Sequence, residues 1–262
     1  MDAFTWPNYW TVDHDKKSVT LHGGSLEERN QRMRSTLLAE KERNTFLMLR
    51  KWTGEAFPVY GPNREVVLSM ERNATPLFGV ITYGVQLLAY QNVSDMYSIW
   101  ISRRAKTKST FPGLLDSTVG GSVPTGKTPA ECLVREAEEE ASFPRSLTSD
   151  LAVACGVLSY INITDERGGG ELGLITPEVQ YLYEMQLPSN VTPRPGDDEA
   201  ESITLMTVEE IKIALAEGEF TPANGCVVLD FFARHGILTP ENEPHYVEAV
   251  SRLRRRHIFP TA

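Results

Sequence analysis

Cysteine is scarce in this chain of 262 residues: Cys132, Cys155 and Cys226 form an odd, widely spaced set. They fit neither a disulfide framework nor a zinc-binding spacing, which points to a reducing compartment, and a cytoplasmic location is the expectation. Long apolar runs are also missing. No stretch approaches the roughly 18 consecutive apolar residues of a membrane-spanning helix, and MDAFTWPNYW lacks the basic start and apolar core of a secretory leader. Neither membrane insertion nor export is expected, so the Asn-x-Ser/Thr triplets at Asn73, Asn92, Asn162 and Asn190 read as chance sequons. Positive charge is in deficit, 26 Lys and Arg against 35 Asp and Glu for a net charge of -9, which argues against nucleic-acid binding through phosphate contacts. Internal repeats are lacking, yet a hydrophobic content of 41% is ample for a globular core.

What the chain has in excess is acid, and the acid is concentrated. In Arg135-Glu136-Ala137-Glu138-Glu139-Glu140, the residues Glu136, Glu139 and Glu140 share one ridge of a helix, because residues three and four apart are surface neighbours. Thr128-Pro129-Ala130-Glu131 is a capping box with proline at the first helical position, so the helix start is well fixed. Leu133, Val134, Ala137 and Ala141 form a separate apolar stripe that can dock on a core, and Phe143-Pro144 ends the helix. Glu131 and Glu138 point away from the ridge and read as capping or solvated residues. An acidic face is ordinarily balanced by basic residues at spacing four, but only Arg135 is basic between Thr128 and Pro144. Clustered hard oxygen ligands without a lysine partner suit Mg²⁺, with Mn²⁺ as an alternative, which binds through one or two carboxylates plus substrate phosphates. A small organic diphosphate is the expected partner.

Gly121, Arg135, Glu136, Ala137, Glu139, Glu140 and Phe143 match, in register, the box G-x5-E-x7-R-E-U-x-E-E-x-G-U, and the chain resembles the Nudix hydrolases. Two positions depart from the box. Lys127 replaces its first glutamate, which removes a structural contact to the loop rather than a core metal ligand. Ser142 replaces its last glycine, so the helix is expected to end without a left-handed glycine cap. Upstream, Arg104, Lys108, Phe111, Pro112 and Gly113 carry a pattern R-x3-K-x2-F-P-G similar to that of isopentenyl diphosphate isomerases and of proteins related to thiamine pyrophosphokinases. The isomerase needs a cysteine close after this segment, and Leu114 to Val119 contains none. The second group is similar over nearly the whole length, including an N-terminal region, Tyr83-Gly84-Val85, Thr176-Pro177-Glu178-Val179, Gly218-Glu219-Phe220 and Leu238 to Glu243.

The resemblance implies an α/β fold, a Nudix α/β/α sandwich with a mixed central sheet, preceded by a small α+β domain. It implies a Mg²⁺-dependent diphosphatase that converts thiamine diphosphate or its damaged analogues to the monophosphate and phosphate. Glu136, Glu139 and Glu140 are then the metal ligands, with Glu140 also catalytic and Arg135 orienting the glutamates. Gly121, Arg104, Lys108 and Gln86 fall to the substrate, Arg104 and Lys108 at the terminal phosphate and Gln86 toward the organic half. The general base lies outside the box, among Glu178, Glu199 and Glu201, and Glu201 is favoured. A nucleoside or prenyl diphosphate as substrate, a non-catalytic binding module, and a homodimer all stay open.

The boundary between accessory and Nudix domains is expected near residue 80, giving 1–80 and 81–262. The pattern predicts helix from Ser25 to Trp52, strands at Phe57 to Tyr60, Val66 to Leu68, Leu77 to Tyr90, Met96 to Ser102, Cys155 to Ile163 and Val179 to Leu187, and late helices at Pro222 to Arg234 and Glu241 to Arg256. The turn at Gly168-Gly169-Gly170 reads as a flexible rim loop, and Arg252, Arg254, Arg255 and Arg256 as a basic patch that is solvated or docks on acidic surface. Trp100, Tyr160 and Tyr181 are either ring-stacking residues or core.

Overall fold

The computed structural model describes residues 4–167, 170–257 and 260–262; the expected rim loop at Gly168 and Gly169 lies outside them. Among the described residues, no helix is long and apolar enough to cross a membrane. The N-terminal part opens with a hairpin, β1 (Trp10–Asp13) and β2 (Ser18–Leu21), followed by α1 (Leu26–Glu42) and a second hairpin, β3 (Ala56–Tyr60) and β4 (Val66–Glu71). Its core gathers Met33 and Leu37 of α1 with Leu49, Met70 and Ala74, and Phe4, Trp10 and Trp52 pack around them. The helix expected to reach Trp52 stops ten residues early. Asn44 adopts a left-handed conformation (φ 54°), which asparagine tolerates better than most residues, and Met48–Arg50 resumes only as a 3₁₀ turn.

The larger part is an α/β/α sandwich, as the sequence predicts. Its sheet follows the order β11-β6-β5-β10-β9, with β5 (Thr82–Val93), β6 (Met96–Arg104), β9 (Val153–Ile163), β10 (Ile175–Gln186) and β11 (Ala200–Thr207). β10 runs parallel to β5 and the other neighbours are antiparallel, so the sheet is mixed. β5 is central and buried on both faces: Tyr83, Val85, Leu87 and Ala89 face one core and Leu88 the other. Over the first core lie α2 (Pro129–Ala141) and α3 (Arg145–Leu151); over the second lie α4 (Val208–Ala216) and α5 (Pro222–Arg234).

The strand expected from Leu77 starts at Thr82, because Arg72–Phe78 is wound as a 3₁₀ helix ending at the left-handed Gly79. The C-terminal helix α6 is confined to Tyr246–Arg252; Pro244 disfavours helix in the residue before it. Of the basic patch, Arg252 pairs with Glu248 at 2.6 Å and Arg254 docks on Asp230 of α5.

β5 and β6 pair only over Tyr90–Val93, then diverge, and the gap admits β7 (Leu115–Asp116) and β8 (Val119–Ser122). Thr118 sits at the fork, accepting from the Ala89 amide at 2.8 Å and donating to the Trp100 carbonyl at 2.5 Å. Both backbone groups would otherwise be buried without partners, at a cost of about 1–3 kcal/mol each. The fork brings the glycines of β8 alongside α2.

Glu40, fully buried in the N-terminal part, accepts from the Thr5 amide (2.8 Å), Thr45 Oγ1 (2.6 Å) and Arg43 Nη1 (3.0 Å). Burial opposes its ionisation, but these donors outweigh it and hold the carboxyl below its usual 4.5. A depressed carboxyl stabilises the fold above the unfolded value and loses that effect as pH falls through the folded one. Glu40→Gln is therefore expected to cost about 2 kcal/mol at pH 7, with the deficit shrinking below pH 4.5. Thermal unfolding at both pH values checks this, and a deficit independent of pH would contradict it.

Candidate functional site

α2 begins at the capping box read from the sequence: Thr128 Oγ1 accepts from the Glu131 amide at 3.3 Å, and Glu131 returns to the Thr128 amide at 2.9 Å. Cys132, Leu133, Ala137 and Ala141 are buried against β5, which turns the opposite ridge toward β8. The helix does end in a left-handed residue, contrary to the expectation for Ser142, which adopts φ 55° and ψ 28°. Serine occupies the position at a cost of about 1–2 kcal/mol relative to glycine. Phe143, buried behind it and bonded to the Ala137 carbonyl at 3.1 Å, holds the turn.

Glu136, Glu139 and Glu140 share the ridge, yet they differ in surroundings. Glu136 is nearly buried, with 13% of its side chain exposed, and lies over Gly121, where a Cβ would come within 2.2 Å of its Cγ. The missing side chain of Gly121 is the space that Glu136 fills. Glu140 accepts the Gly120 amide at 2.9 Å. Glu139 is half exposed and shares Arg135 with Glu136, at 2.8 and 2.6 Å. Burial, with repulsion from Glu139 and Glu199 added, outweighs the pull of Arg135 and pushes Glu136 up to about 7. Burial also raises Glu140 well above the carboxylate range; the Gly120 amide opposes this, while Glu136, Glu199 and Asp116 add to it.

Around this pair the chain converges from four directions. The 193–201 loop closes the C-terminal end of α2, where the Arg194 amide takes the Ala141 carbonyl (3.2 Å) and the Gly196 amide takes that of Glu140 (3.0 Å). The same loop brings in Glu199, which Lys108 pairs with directly. Burial works against ionisation of Glu199, but Lys108, Arg104 and Arg72 prevail and hold it below the usual value. Glu199 and Glu201, the base favoured from sequence, are both exposed, but Glu201 sits at the bulge where β11 shifts register against β6, whereas Glu199 is held by Lys108 and its charge is felt at Glu136 and Glu140.

Arg104 and Lys108 do not present free charges here. Arg104 donates to Asp116 (2.6 Å) and to the Thr110 carbonyl (2.9 and 3.1 Å), which fastens the basic loop to β7. Asp116, raised by burial despite Arg104 and Thr221, also accepts from Thr221 (3.0 Å) and Asn224 at the start of α5. Gln86 lies almost buried across β8, accepting from Ser117 and donating to Gln180 Oε1 at 3.4 Å. Gln180 in turn donates to Glu178 at 3.1 Å, and Tyr160 donates to the same carboxyl at 2.9 Å. Burial keeps Glu178 raised against those donors. Trp100 is core, Tyr181 stacks on Tyr83 at 6.4 Å, and Tyr160 belongs to the polar recess. Asp116 and Gln180 were not candidates from sequence, since strand pairing alone brings them to the cluster.

A divalent cation fits this donor set in a limited way. Among the described residues, no three His, Cys, Asp or Glu side chains are gathered around one point as a ready cage. Glu136 and Glu140 are nonetheless two partly buried, mutually repelling carboxyls, and one or two carboxylates are what Mg²⁺ takes when substrate phosphates and water complete its shell.

The NUDIX domain profile matches residues 84–226, and a domain of unknown function (DUF4743) matches residues 2–82. An uncharacterized protein of Saccharomyces cerevisiae is 36% identical over 219 residues, covering 81% of this chain and 64% of its own length. Nudix hydrolase 20, chloroplastic, of Arabidopsis thaliana is 35% identical over 204 residues, covering 77% and 52%. This chain thus spans about half to two-thirds of the length of these relatives. A solved structure, DR0079 from Deinococcus radiodurans, aligns with a TM-score of 0.46 and 24% identity over 64% of this chain and 92% of that one.

Folding that keeps a carboxyl protonated above its unfolded value of 4.5 contributes stability below that pH and loses it as pH rises. Glu140→Gln keeps an acceptor for Gly120 and removes the conflict. The metal-free variant is expected to melt higher than the wild type at pH 8, by about 2–4 °C per kcal/mol relieved, with the gain vanishing toward pH 4.5. A lower melting point at pH 8 would contradict the strain ascribed to the pair.

Proposed function

The chain belongs to the Nudix family, and from that premise we propose that it hydrolyses the phosphoanhydride bond of a small organic diphosphate with Mg²⁺. Thiamine diphosphate or a damaged analogue is the substrate the sequence resemblance favours. The observation that carries the reading is the pair Glu136 and Glu140, partly buried side by side against the glycines of β8. When bound, Mg²⁺ supplies positive charge against the diphosphate and the phosphoryl group in transfer.

The chain's own residues divide the remaining work. Glu136 and Glu140 hold the ion, with Glu139 beside them, and Arg135 orients Glu136 and Glu139 by bridging them. Glu199, kept ionised by Lys108, is the acceptor placed for the proton of the attacking water; this role moves to it from Glu201. Arg104 acts through the loop it fastens. Gln86 and Gln180 offer amide groups to the organic half of the substrate. The accessory domain, 1–80, and the catalytic domain, 81–262, act as one functional unit in this proposal.

The test is phosphate release from thiamine diphosphate, ADP and geranyl diphosphate with Mg²⁺, beside Glu140→Gln. Thiamine diphosphate is expected to turn over fastest and the variant to lose at least about a thousandfold in rate, since a removed metal ligand takes several kcal/mol of charge stabilisation with it. Preference for ADP or geranyl diphosphate would keep the reaction and replace the substrate. Turnover of none of the three would overturn the enzymatic reading in favour of a binding module.

A further inference from the structure

The accessory part reaches the candidate site through one short run of chain. The Thr125 amide, in the loop leading to α2, donates to the Ala56 carbonyl of β3 at 2.8 Å, and Thr125 Oγ1 meets Ser69 Oγ at 3.0 Å. Next to that contact, Glu55 accepts from Ser122 Oγ at 3.3 and 3.4 Å. Ser122 directly follows Gly121, the glycine beneath Glu136. Glu55 is also the partner of Arg72, whose amide bonds the Glu55 carbonyl (2.9 Å) and whose Nη1 meets the Glu55 carboxylate at 3.0 Å. The guanidinium lies over the Phe57 ring at 5.7 Å and remains 48% exposed.

Arg72 is therefore joined, from the accessory side and through Glu55 and Ser122, to the strand that carries Gly121. Its charge also reaches Glu178, at the start of β10, and Glu199, in the loop that closes α2. The contacts that locate it run through Glu55 to Ser122 of β8. Two other cations near the candidate site are more fully engaged. Arg104 is 17% exposed and bonded to Asp116 and Thr110, and Lys108 is 25% exposed on Glu199. A half-exposed guanidinium held by a single carboxylate retains donors for a bidentate contact to phosphate, and an exposed ion pair of this kind contributes little to stability.

We propose that Arg72 of the accessory part is a substrate-binding residue of the Nudix site, taking phosphate oxygens of the diphosphate. The proposal rests on the diphosphatase reading above and extends it, because it makes the accessory part a component of the site. Exchange of Glu55 for substrate phosphate conserves the charge pairing of Arg72 and leaves Ser122 free to follow.

The experiment measures kcat and KM, with Mg²⁺, on whichever of thiamine diphosphate, ADP and geranyl diphosphate the wild type turns over, for Arg72→Ala, Arg72→Lys and Glu55→Gln, each with its melting temperature. Arg72→Ala is expected to raise KM about tenfold, equivalent to about 1.4 kcal/mol of binding, with kcat changed less than threefold and the melting temperature nearly unchanged. Arg72→Lys recovers part of the loss, because it restores the charge without the fork. Glu55→Gln leaves KM at or below the wild-type value, since it loosens the competing partner. If Arg72 only fastens the two parts together, Glu55→Gln and Arg72→Ala will raise KM and lower the melting temperature alike, and the proposal is overturned. Wild-type turnover with an Arg72→Ala KM within twofold of it overturns this inference alone. Absence of wild-type turnover overturns the diphosphatase reading and the inference with it.

Discussion

Two carboxyl groups partly withdrawn from water and close enough to repel each other are the constraint on which the rest of this structure turns. Burial of a carboxylate without full compensation is costly, and a second carboxylate beside it adds to the cost. Around Glu136 and Glu140 the compensation is partial: one guanidinium, Arg135, already shared with Glu139, and one amide, that of Gly120. Packing of the apolar face of α2 keeps the pair in place, because turning the ridge outward would expose Leu133, Ala137 and Ala141.

The scaffold is arranged to present that pair rather than to relieve it. Divergence of β5 from β6, sealed by Thr118, makes room for β8, and the absence of side chains at Gly120 and Gly121 lets Glu136 and Gln86 lie against the strand. The loop that satisfies the last carbonyls of α2 is the one that carries Glu199. Cations are present at every border, as Arg135, Lys108, Arg104 and Arg72, each already paired with an acid. The site is thus a network of opposed charges at the meeting point of α2, β8, the 193–201 loop and the accessory part.

Much of this was legible in the sequence wherever the determinants are local. The capping box at Thr128 and Glu131, the shared ridge of Glu136 and Glu140, and the central strand around Tyr83 to Ala89 depend on residues a few positions apart. Legibility fell where a distant contact decides the outcome. Ser142 takes a left-handed conformation that its own preference disfavours because Phe143 is anchored in the core. Glu199 and Glu201 are two positions apart and indistinguishable by pattern; only the bulge in β11 and the partner Lys108 separate them. Arg104 and Lys108 read as free charges because Asp116 and Glu199 are remote in sequence. Nothing local marks Arg72, which opens a 3₁₀ helix, Arg72–Phe78, between the strands expected at Val66 to Leu68 and Leu77 to Tyr90.

The acidic ridge and the residues that surround it are therefore encoded at different ranges, the first in a short helix and the second in contacts assembled across the chain. The most direct test of the central claim is a carboxyl ¹³C NMR titration of Glu136 and Glu140 with and without Mg²⁺. Without the ion, Glu136 is predicted to titrate near pH 7 and Glu140 well above the usual carboxylate range; with it, both should fall below the model-peptide value of about 4.3. Midpoints near 4.3 in the metal-free protein, or midpoints that Mg²⁺ leaves unmoved, would contradict the account.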